Sequence, residues 1–433
     1  MGFAAFHSRP LKNRSGPPTV SGERPRSGGR TLGGVLSSVV PRRARRLGSR
    51  AAAGAAVAGL LLLSAACGGG HGSSGSGGSV LGQPLIVYPT PSDGDVAAPA
   101  SAIPSSGTRP ISGVPVTIAF GGDVHFEGGL AARLNDPATA LGPIAPTLRQ
   151  ADLAVVNLET AVTTGGTPEN KQYTFRAPPS VFTALRDAGV DVVTMANNHG
   201  MDYGMTGLND TLAAAHAAGF PVVGIGFNEA QAFAPMRTTI QGQRISIIGA
   251  TQVLDDELAP EWTAGFGKPG LASAKNPARL LQAISDARRV SDTVIVYLHW
   301  GQENQACPTA AQTTLMHQVV AAGADVVVGS HAHVPLGAGW GDAGAYVDYG
   351  LGNFVFYADG PGPNTTSGVL TLTVAGRAVT HAAWTPAHID GGVPVPLSGQ
   401  AAADANKSWD GLRACTGLNS APPDLVPGRA GRG

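Results

Sequence analysis

The sequence has little charge. Only 13% of its 433 residues are charged, and the basic and acidic side chains number 29 each. With 43% hydrophobic residues the chain can bury one large core or two smaller ones, which excludes a charge-rich disordered polymer. Eleven of the basic residues but one acidic residue lie in residues 1–50, so the rest carries a net charge of −10. This acidic remainder predicts that the protein binds no nucleic acid.

The sequence also lacks an apolar run of the length that a membrane-spanning helix needs, about 20 residues. Its longest run, Ala51–Ala66, has 16 residues and follows five arginines in residues 41–50. Together these features predict an export signal over residues 1–67. Ser64-Ala65-Ala66 precede Cys67 and resemble a bacterial lipoprotein signal, in which the cysteine receives the lipid. This implies an exported protein anchored at the outer face of the cell membrane; a plain signal peptide or an uncleaved anchor is the alternative.

Cysteine is scarce, with three residues in the whole chain. If Cys67 is lipidated, Cys307 and Cys415 remain in an oxidising compartment, where a disulfide between them would tie the end of the chain to the domain. Sequence separation alone leaves that pairing open, because it says nothing about the geometry. Residues 68–113, rich first in Gly and Ser and then in Pro, predict a linker.

Residues 114–390 have the pattern of one folded domain, and residues 391–433 are interpreted as a C-terminal extension. The apolar runs predict strands at 116–120, 153–156, 190–195, 221–223, 244–248, 293–298 and 325–328. Helical spacing predicts helices at 179–188, 205–218, 276–289 and 310–322. Strands that alternate with helices indicate an α/β fold with largely parallel strands, and the strand-like runs within 346–384 indicate an antiparallel part. Residues 130–150 show helical spacing interrupted by Pro, and the extension shows no clear element beyond 409–413.

Five strand-like runs each end in side chains that can bind a metal. They are Asp123 with His125, Asn157 with Glu159, Asn197, Asn198 and His199, His299, and His331 with His333. Sites in α/β sheets form beyond the carboxyl ends of the strands, so we expect these side chains to meet at one edge. Each group alone has a structural alternative, such as a packed histidine at His299 beside Trp300. The joint pattern, however, predicts a metal centre.

The types of these side chains restrict the metal and its chemistry. Carboxylate, imidazole and amide oxygen suit a borderline divalent ion such as Mn²⁺, Fe²⁺, Zn²⁺ or Co²⁺. No cysteine lies near them in the sequence, which disfavours a structural zinc site. The candidate ligands are too many for one four-coordinate ion and suit two ions that share a bridging ligand. Such a pair predicts hydrolysis of a phosphate ester or, less often, of an amide.

Six motifs in this order resemble the bacterial CapA family of capsule synthesis proteins, which is tied to poly-γ-glutamate. They are GGDVH, NLE, ANNHGMDYG, LHWGQE, GSHAH and YGLGNFVF, spread over residues 114–390. The resemblance implies a metallophosphatase-like, calcineurin-like α/β fold: a layered β-sandwich of mixed parallel and antiparallel sheets flanked by helices.

The resemblance also implies a role for each site residue. Ligands of the first ion would be Asp123, His125 and His333, and ligands of the second ion Asn198, His299 and His331. Glu159 would bridge the ions, one methylene longer than the family's aspartate, and His199 would be the general acid or the histidine that orients the phosphate. Ligand-orienting groups would be Asn157, Asn197, Asp202 and Glu303, unless these only cap loops; Asn353 would line the rim or end a strand.

Two functions from different classes follow. The first is a metal-dependent hydrolase of the phosphoesterase type that serves capsule or other cell-envelope polymer assembly. The second is a non-catalytic component of a polymer synthesis or export complex that binds a polyanion through its metal ions. A metalloenzyme that cleaves γ-glutamyl amide bonds is a third hypothesis. The expected partners are an anionic polymer or a phosphate-containing envelope precursor, and the membrane through the lipid anchor.

Overall fold

The structure is a computed structural model, and it describes residues 113–423. The predicted export signal, Cys67 and all of the linker but Gly113 lie outside the described residues. None of the helices in residues 113–423 has the length and apolar character needed to cross a bilayer.

The strands belong to two large sheets and two short pairs. In chain order they are β1 Val116–Val124, β2 Leu153–Leu158, β3 Ala161–Val162, β4 Arg176–Ala177, β5 Val192–Thr194, β6 Val222–Val223, β7 Ile225–Gly226, β8 Met236–Ile240, β9 Gln243–Thr251, β10 Gly270–Leu271, β11 Thr293–His299, β12 Val326–Ser330, β13 Ala338–Trp340, β14 Tyr346–Asp348, β15 Asn353–Val355, β16 Thr366–Ala375, β17 Ala378–Asp390 and β18 Val393–Pro396.

The α-helices lie mainly between the parallel strands. They are α1 Ala145–Arg149, α2 Ser180–Asp187, α3 Gly204–Ala218, α4 Glu229–Ala232, α5 Ala259–Trp262, α6 Ala278–Val290, α7 Ala310–Ala322 and α8 Gly399–Gly411. Short 3-10 turns fill several connections, above all between β1 and α1. The helix α3 ends at Gly219, whose φ of 58° is the left-handed conformation that glycine adopts without strain.

Both large sheets mix parallel and antiparallel pairs. The first sheet has eight strands in the order β18-β17-β16-β1-β2-β5-β6, with β15 beside β1. In it β1, β2, β5 and β6 are parallel, whereas β16 to β18 are antiparallel. The second sheet has the order β13-β14-β12-β11-β9-β8, parallel from β9 to β14 and antiparallel at both edges. The parallel strands therefore lie in the middle of the second sheet, whereas in the first sheet they extend to the edge at β6.

The alternation of side chains along the strands shows how the layers pack. Ile118 and Phe120 of β1 share a buried cluster with Ile295 and Tyr297 of β11, so the sheets face each other across one core. Ala119, which lies between Ile118 and Phe120 in β1, is on the other face of the sheet and packs in a cluster with residues of α2 and α3. The opposite face of the second sheet packs against α6 and α7. The molecule thus has four layers, helix–sheet–sheet–helix.

These observations confirm the predicted α/β class, with a layered sandwich of mixed sheets flanked by helices. The helix predicted at 310–322 has those bounds, and the other predicted elements of the parallel part differ mostly at their ends. Residues 130–150, with their interrupted helical spacing, contain 3-10 turns and only the short α1. One prediction is wrong: the extension, which shows no clear element beyond 409–413 in the sequence, contains β18 and the helix α8.

Candidate metal centre

The predicted ligands meet where the sheets' parallel strands end. Strands β1 and β2 are neighbours with Asp123 opposite Asn157, and Asn157 also lies opposite Thr194 at the end of β5. In the second sheet His299, the last residue of β11, lies opposite Ser330, the last residue of β12. The turn after β12 carries the two remaining histidines. Strands from both sheets therefore contribute to one site.

A glycine pair bends the end of β1. The pairing of β1 with β2 shifts register between Phe120 and Asp123, which is where Gly121 and Gly122 lie. A Cβ atom on Gly122 would lie 1.9 Å from the carbonyl oxygen of Gly352, so only glycine fits there. The next amide, Asp123 N, donates to that same oxygen at 3.0 Å. The bulge therefore aims the Asp123 carboxylate into the site.

Asn157 is the hydrogen-bonding centre of the site. Its Nδ2 donates to Asp123 Oδ1 at 2.8 Å and lies 3.3 Å from His299 Nδ1. Its Oδ1 accepts from Asn197 Nδ2 at 3.0 Å, and Asn197 Oδ1 accepts from the backbone N–H of His199 at 3.0 Å. Both asparagines are buried. Both asparagines therefore contact candidate ligands or their neighbours, and neither is a free loop cap.

Three side chains from three strand ends converge at one corner of the site. His299 Nε2 lies 2.7 Å from Asn198 Oδ1 and 3.4 Å from Glu159 Oε1. The other ring nitrogen of His299, Nδ1, lies 2.9 Å from the hydroxyl of Ser330. Since the Ser330 hydroxyl and Asn157 occupy Nδ1, Nε2 is the nitrogen directed at the corner where the oxygens of Asn198 and Glu159 converge.

The turn after β12 holds its two histidines in unusual backbone conformations. His331 and His333 have φ angles of 91° and 57°, which non-glycine residues adopt rarely and at a cost. The backbone N–H of His331 donates to Asp123 Oδ2 at 3.2 Å. His333 Nδ1 lies 2.9 Å from Asn353 Oδ1 and 3.5 Å from Asp123 Oδ2. Asn353 is the first residue of β15, so it does not end a strand, and its side chain contacts His333 in the site.

The donor set fits divalent cations. Within residues 113–423, three groups of side chains bring ligand atoms within 4.8 Å of one another: Glu159 with His299 and His331, Asp123 with Glu159 and His333, and Glu303 with His331 and His333. Glu159 is fully buried, yet neither of its oxygens accepts a hydrogen bond, and His331 Nδ1 is buried without a partner. A buried carboxylate in that state is costly unless a cation neutralises it. These side chains therefore form a candidate metal-binding site.

The pKa values of the site residues are shifted by burial and by the neighbouring ionisable side chains. Burial opposes ionisation of Asp123, but the hydrogen bond from His333 and the nearby His299 outweigh burial and lower the pKa of Asp123. Burial also favours a neutral His333, but Asp123 and Glu159 outweigh it and raise the pKa of His333 to about 9. Burial, together with its histidine neighbours, lowers the pKa of His331 well below its usual value. A neutral ring is the form that binds a metal.

His199 is placed to exchange a proton. Its Nδ1 lies 2.6 Å from Asp202 Oδ2, so Nδ1 donates to the carboxylate, and its Nε2 lies 3.9 Å from Glu159 Oε1. Burial lowers the pKa of His199 to about 3. Asp202 thus fixes the tautomer and leaves the Nε2 lone pair on the side of the metal-binding groups.

Three residues of the site escape the sequence reasoning. Lys171 bonds the backbone carbonyl of Asn198 and lies 3.0 Å from Asp202 Oδ1. Phe175 stacks on the ring of His199. The hydroxyl of Ser330 lies 2.9 Å from His299 Nδ1. Lys171 and Phe175 come from an irregular stretch between β3 and β4 that carries no motif, whereas Ser330 lies within the GSHAH motif.

His125 and Glu303 have contacts that differ from those of the other candidate ligands. His125 belongs to none of the three groups; its ring stacks on Phe175 at 4.5 Å, its Nδ1 accepts the backbone N–H of Glu127 at 3.0 Å, and its Nε2 is buried without a hydrogen-bond partner. A carboxylate oxygen of Glu303 lies within 4.8 Å of a ring nitrogen of His331 and of His333.

Outside the centre, Cys307 and Cys415 form a disulfide with a Cα–Cα distance of 5.8 Å. The bond joins the connection between β11 and α7 to the 3-10 turn after α8. The loop that carries Glu303 is thereby linked to the C-terminal extension.

Comparison with known proteins identifies the family. The family model of the bacterial capsule synthesis protein PGA_cap matches residues 117–358, which include all of the candidate ligands. The chain therefore belongs to this family of capsule synthesis proteins.

Among its relatives are the PGA biosynthesis protein CapA of Bacillus subtilis (strain 168) and the capsule biosynthesis protein CapA of Bacillus anthracis. The first is 32% identical over 218 residues, 49% of this chain and 55% of that protein. The second is 35% identical over 191 residues, 43% of this chain and 45% of that protein. The chain thus spans about half the length of these curated relatives. Among solved structures, the chain is similar to the 5'-nucleotidase of Candida albicans SC5314, with a TM-score of 0.36 and 10% sequence identity. The match covers 70% of this chain and 55% of that chain.

Proposed function

We propose that this protein is an exported, lipid-anchored hydrolase of the phosphoesterase type that uses two divalent cations and acts in the assembly of capsule or another cell-envelope polymer. The observation that carries the proposal is Glu159, a buried carboxylate without hydrogen bonds that belongs to two of the ligand groups at once. A carboxylate shared by two groups is what a bridge between two cations requires. The relatives named for capsule and PGA biosynthesis support the polymer context.

The two groups define which residues would hold the cations. Asp123, Glu159 and His333 would hold the first, and Glu159, His299 and His331, joined by Asn198, would hold the second. Oxygen and imidazole ligands without sulfur favour Mn²⁺, Fe²⁺, Zn²⁺ or Co²⁺. Two such cations, when bound, supply a nucleophile near neutral pH and stabilise the charge on the attacking and leaving oxygens.

The remaining residues of the site bind, orient and transfer protons. His199, with Nδ1–H held by Asp202 and a lone pair on Nε2, would take up the proton of the attacking water at Nε2 and then give it to the leaving oxygen. Lys171 cannot also pair with a substrate anion, because its ammonium lies against Asp202 and Asp255, at 3.0 and 3.4 Å. An anionic substrate would therefore depend on the cations for its attraction to this acidic site.

A relative that is named for PGA biosynthesis favours a second candidate function, the binding of a polyanion in a polymer synthesis complex. In this alternative the same cations would bind the polymer without cleaving it. Cleavage of γ-glutamyl amide bonds by the same centre is the third candidate.

One experiment separates these functions. The full-length protein is purified, its metal content is measured by plasma mass spectrometry, and hydrolysis of a nitrophenyl phosphate monoester and diester is followed with added Mn²⁺. We expect two ions per chain and turnover. Glu159→Gln and His331→Ala should lose both, because each removes a ligand. His317→Ala is the matched control, since His317 is an exposed histidine paired with Asp342 on the surface.

Each outcome decides between the candidates. Two ions without hydrolysis of either ester, together with metal-dependent binding of poly-γ-glutamate, would favour the binding function. Release of glutamate from that polymer would favour the amide hydrolase. A wild-type protein that binds no divalent cation would refute all three.

A further inference from the structure

One ring nitrogen of His125 is engaged in a hydrogen bond, and the other has no partner. Its Nδ1 accepts the backbone N–H of Glu127 at 3.0 Å, so the proton of the neutral ring lies on Nε2. Nε2 is buried without a hydrogen-bond partner, and in this tautomer it has no lone pair for a metal. The ring is also enclosed by Phe175, Phe356 and Tyr357, with centroid distances of 4.5, 4.3 and 4.5 Å. His125 belongs to none of the three ligand groups, so the position implied for a histidine ligand offers no free lone pair in this geometry.

Glu303 offers a carboxylate at the same centre. One of its oxygens lies within 4.8 Å of a ring nitrogen of both His331 and His333. His331 Nδ1 is buried and without a hydrogen-bond partner, in a residue only 6% exposed. An unpartnered buried nitrogen next to a carboxylate and a second imidazole is the arrangement that a divalent cation completes.

The loop that carries Glu303 is held against the two histidines. The backbone N–H of Asn304 donates to the carbonyl of Ala332, the residue between the histidines, at 2.8 Å. Asn304 itself has a φ of 61°, and its Oδ1 accepts from Asn364 Nδ2 at 2.8 Å. The Cys307–Cys415 disulfide ties the same loop to the C-terminal extension. An ordinary solvated surface glutamate needs none of these restraints, whereas a ligand must be held in place.

We propose that Glu303, and not His125, is a direct ligand of one of the two cations of this centre, on the side where His331 and His333 lie. This inference rests on the proposed function in that it requires the centre to bind cations, but it does not require hydrolysis. The carboxylate, on the exposed side of the centre, then closes the coordination that the buried ligands leave open.

The test measures metal affinity, which does not depend on turnover. Binding of Mn²⁺ to the full-length protein is followed by isothermal titration calorimetry and electron paramagnetic resonance. Glu303→Gln should weaken one of the Mn²⁺ sites by at least about tenfold, since even residues that only orient ligands have effects of this size. Glu127→Gln is the matched control, because both glutamates contribute to the potential at Tyr357 but Glu127 belongs to no ligand group. If loss of nearby charge were the cause, both variants would weaken binding alike.

A third variant examines the other half of the proposal. His125→Asn removes Nε2 but places Oδ1 where Nδ1 accepts the N–H of Glu127, so it should keep both Mn²⁺ ions with affinities within a few-fold of wild type. Loss of one ion from a variant with an unchanged circular dichroism spectrum would overturn the exclusion of His125. If that variant does not fold, the Glu303 and Glu127 pair still decides the role of Glu303.

The failures of the two proposals are distinguishable. Equal Mn²⁺ binding by wild type and Glu303→Gln would overturn this inference and leave the metal centre intact. A wild-type protein that binds no Mn²⁺, Zn²⁺, Co²⁺ or Fe²⁺ would refute the proposed function as well.

Discussion

Two buried carboxylates show how neighbouring side chains decide the state of an acid. Glu159 and Asp348 are both fully buried, and both have oxygens without hydrogen bonds. Glu159 lies among imidazoles that can share a cation with it. Asp348 has the N–H of Gly350 as its donor at 2.8 Å, and burial raises its pKa to about 8. The first acid is suited to a metal, and the second stays protonated near neutral pH.

Asp348 should therefore make stability depend on pH. Its pKa is about 8 in the folded protein and about 3.9 in an unfolded chain. The neutral acid stabilises the fold below the lower value, and this contribution falls by up to about 1.4 kcal/mol per pH unit as pH rises towards the folded pKa. Asp348→Asn, which keeps an acceptor for Gly350, should be close to wild type at pH 4 and more stable than it at pH 8. Urea unfolding with EDTA at several pH values measures the difference, and a gap that does not widen with pH would contradict this prediction.

At the scale of elements, the carboxyl ends of the strands carry the chemistry. Five strand ends supply candidate ligands, and local distortions direct them: the Gly121-Gly122 bulge in β1 and the left-handed backbone at His331 and His333. Such distortions cost free energy, which the surrounding packing must offset. A small change in one of them should therefore affect metal binding without removing a ligand.

Gly122→Ala tests the bulge. Its new Cβ would overlap the Gly352 carbonyl oxygen, which also anchors Asp123 N, so β1 must shift and Asp123 with it. We expect a loss of unfolding free energy of about 1–3 kcal/mol or more, together with weaker Mn²⁺ binding. Gly129→Ala is the control, because nothing lies within 4 Å of a Cβ at this exposed glycine. Equal stability and equal Mn²⁺ affinity of the two variants would show that the bulge does not position Asp123.

The helices and strands that the sequence predicted best are those with a clear hydrophobic pattern. Helix 310–322 has the predicted bounds, and in the structure Thr309 and Gln312 form a capping box at its start while Gly323 ends it. The segment 130–150 has helical spacing, but its prolines and glycines divide it into 3-10 turns. Helix α8 has no fully buried residue, so its sequence shows little periodicity; it is stabilised by contacts such as the stacking of Trp409 on Trp384 at 5.2 Å.

At the scale of the molecule, the disulfide between Cys307 and Cys415 closes a long covalent loop of the chain. Cys307 and Cys415 are 108 residues apart, and the bond connects the metal-site loop with the end of the C-terminal extension. The closed loop includes β12 and the turn with His331 and His333. The disulfide therefore lowers the conformational entropy of the unfolded chain and also restrains the segments around the site.

Reduction of this disulfide should lower the unfolding free energy by about 2–4 kcal/mol, because the reduced unfolded chain gains conformational freedom. Urea unfolding of the full-length protein with and without a phosphine reductant measures the change. The Cys307→Ser/Cys415→Ser double variant is the control and should not respond to the reductant. Identical unfolding midpoints of the wild type in both conditions would contradict the prediction.

The sequence by itself determined the α/β class, most of the parallel strands and their helices, and the identity of nearly all candidate ligands. It could do so because strand and helix periodicity are local, and because ligands that follow strands must gather at one edge of a sheet. Only the tertiary structure decided which atoms meet. The Nδ1 of His125 faces a backbone N–H and the loop with Glu303 folds back on His331 and His333, while Lys171 reaches Asp202 from a stretch without a motif. These are contacts between distant segments, and their geometry depends on the packing of the whole fold.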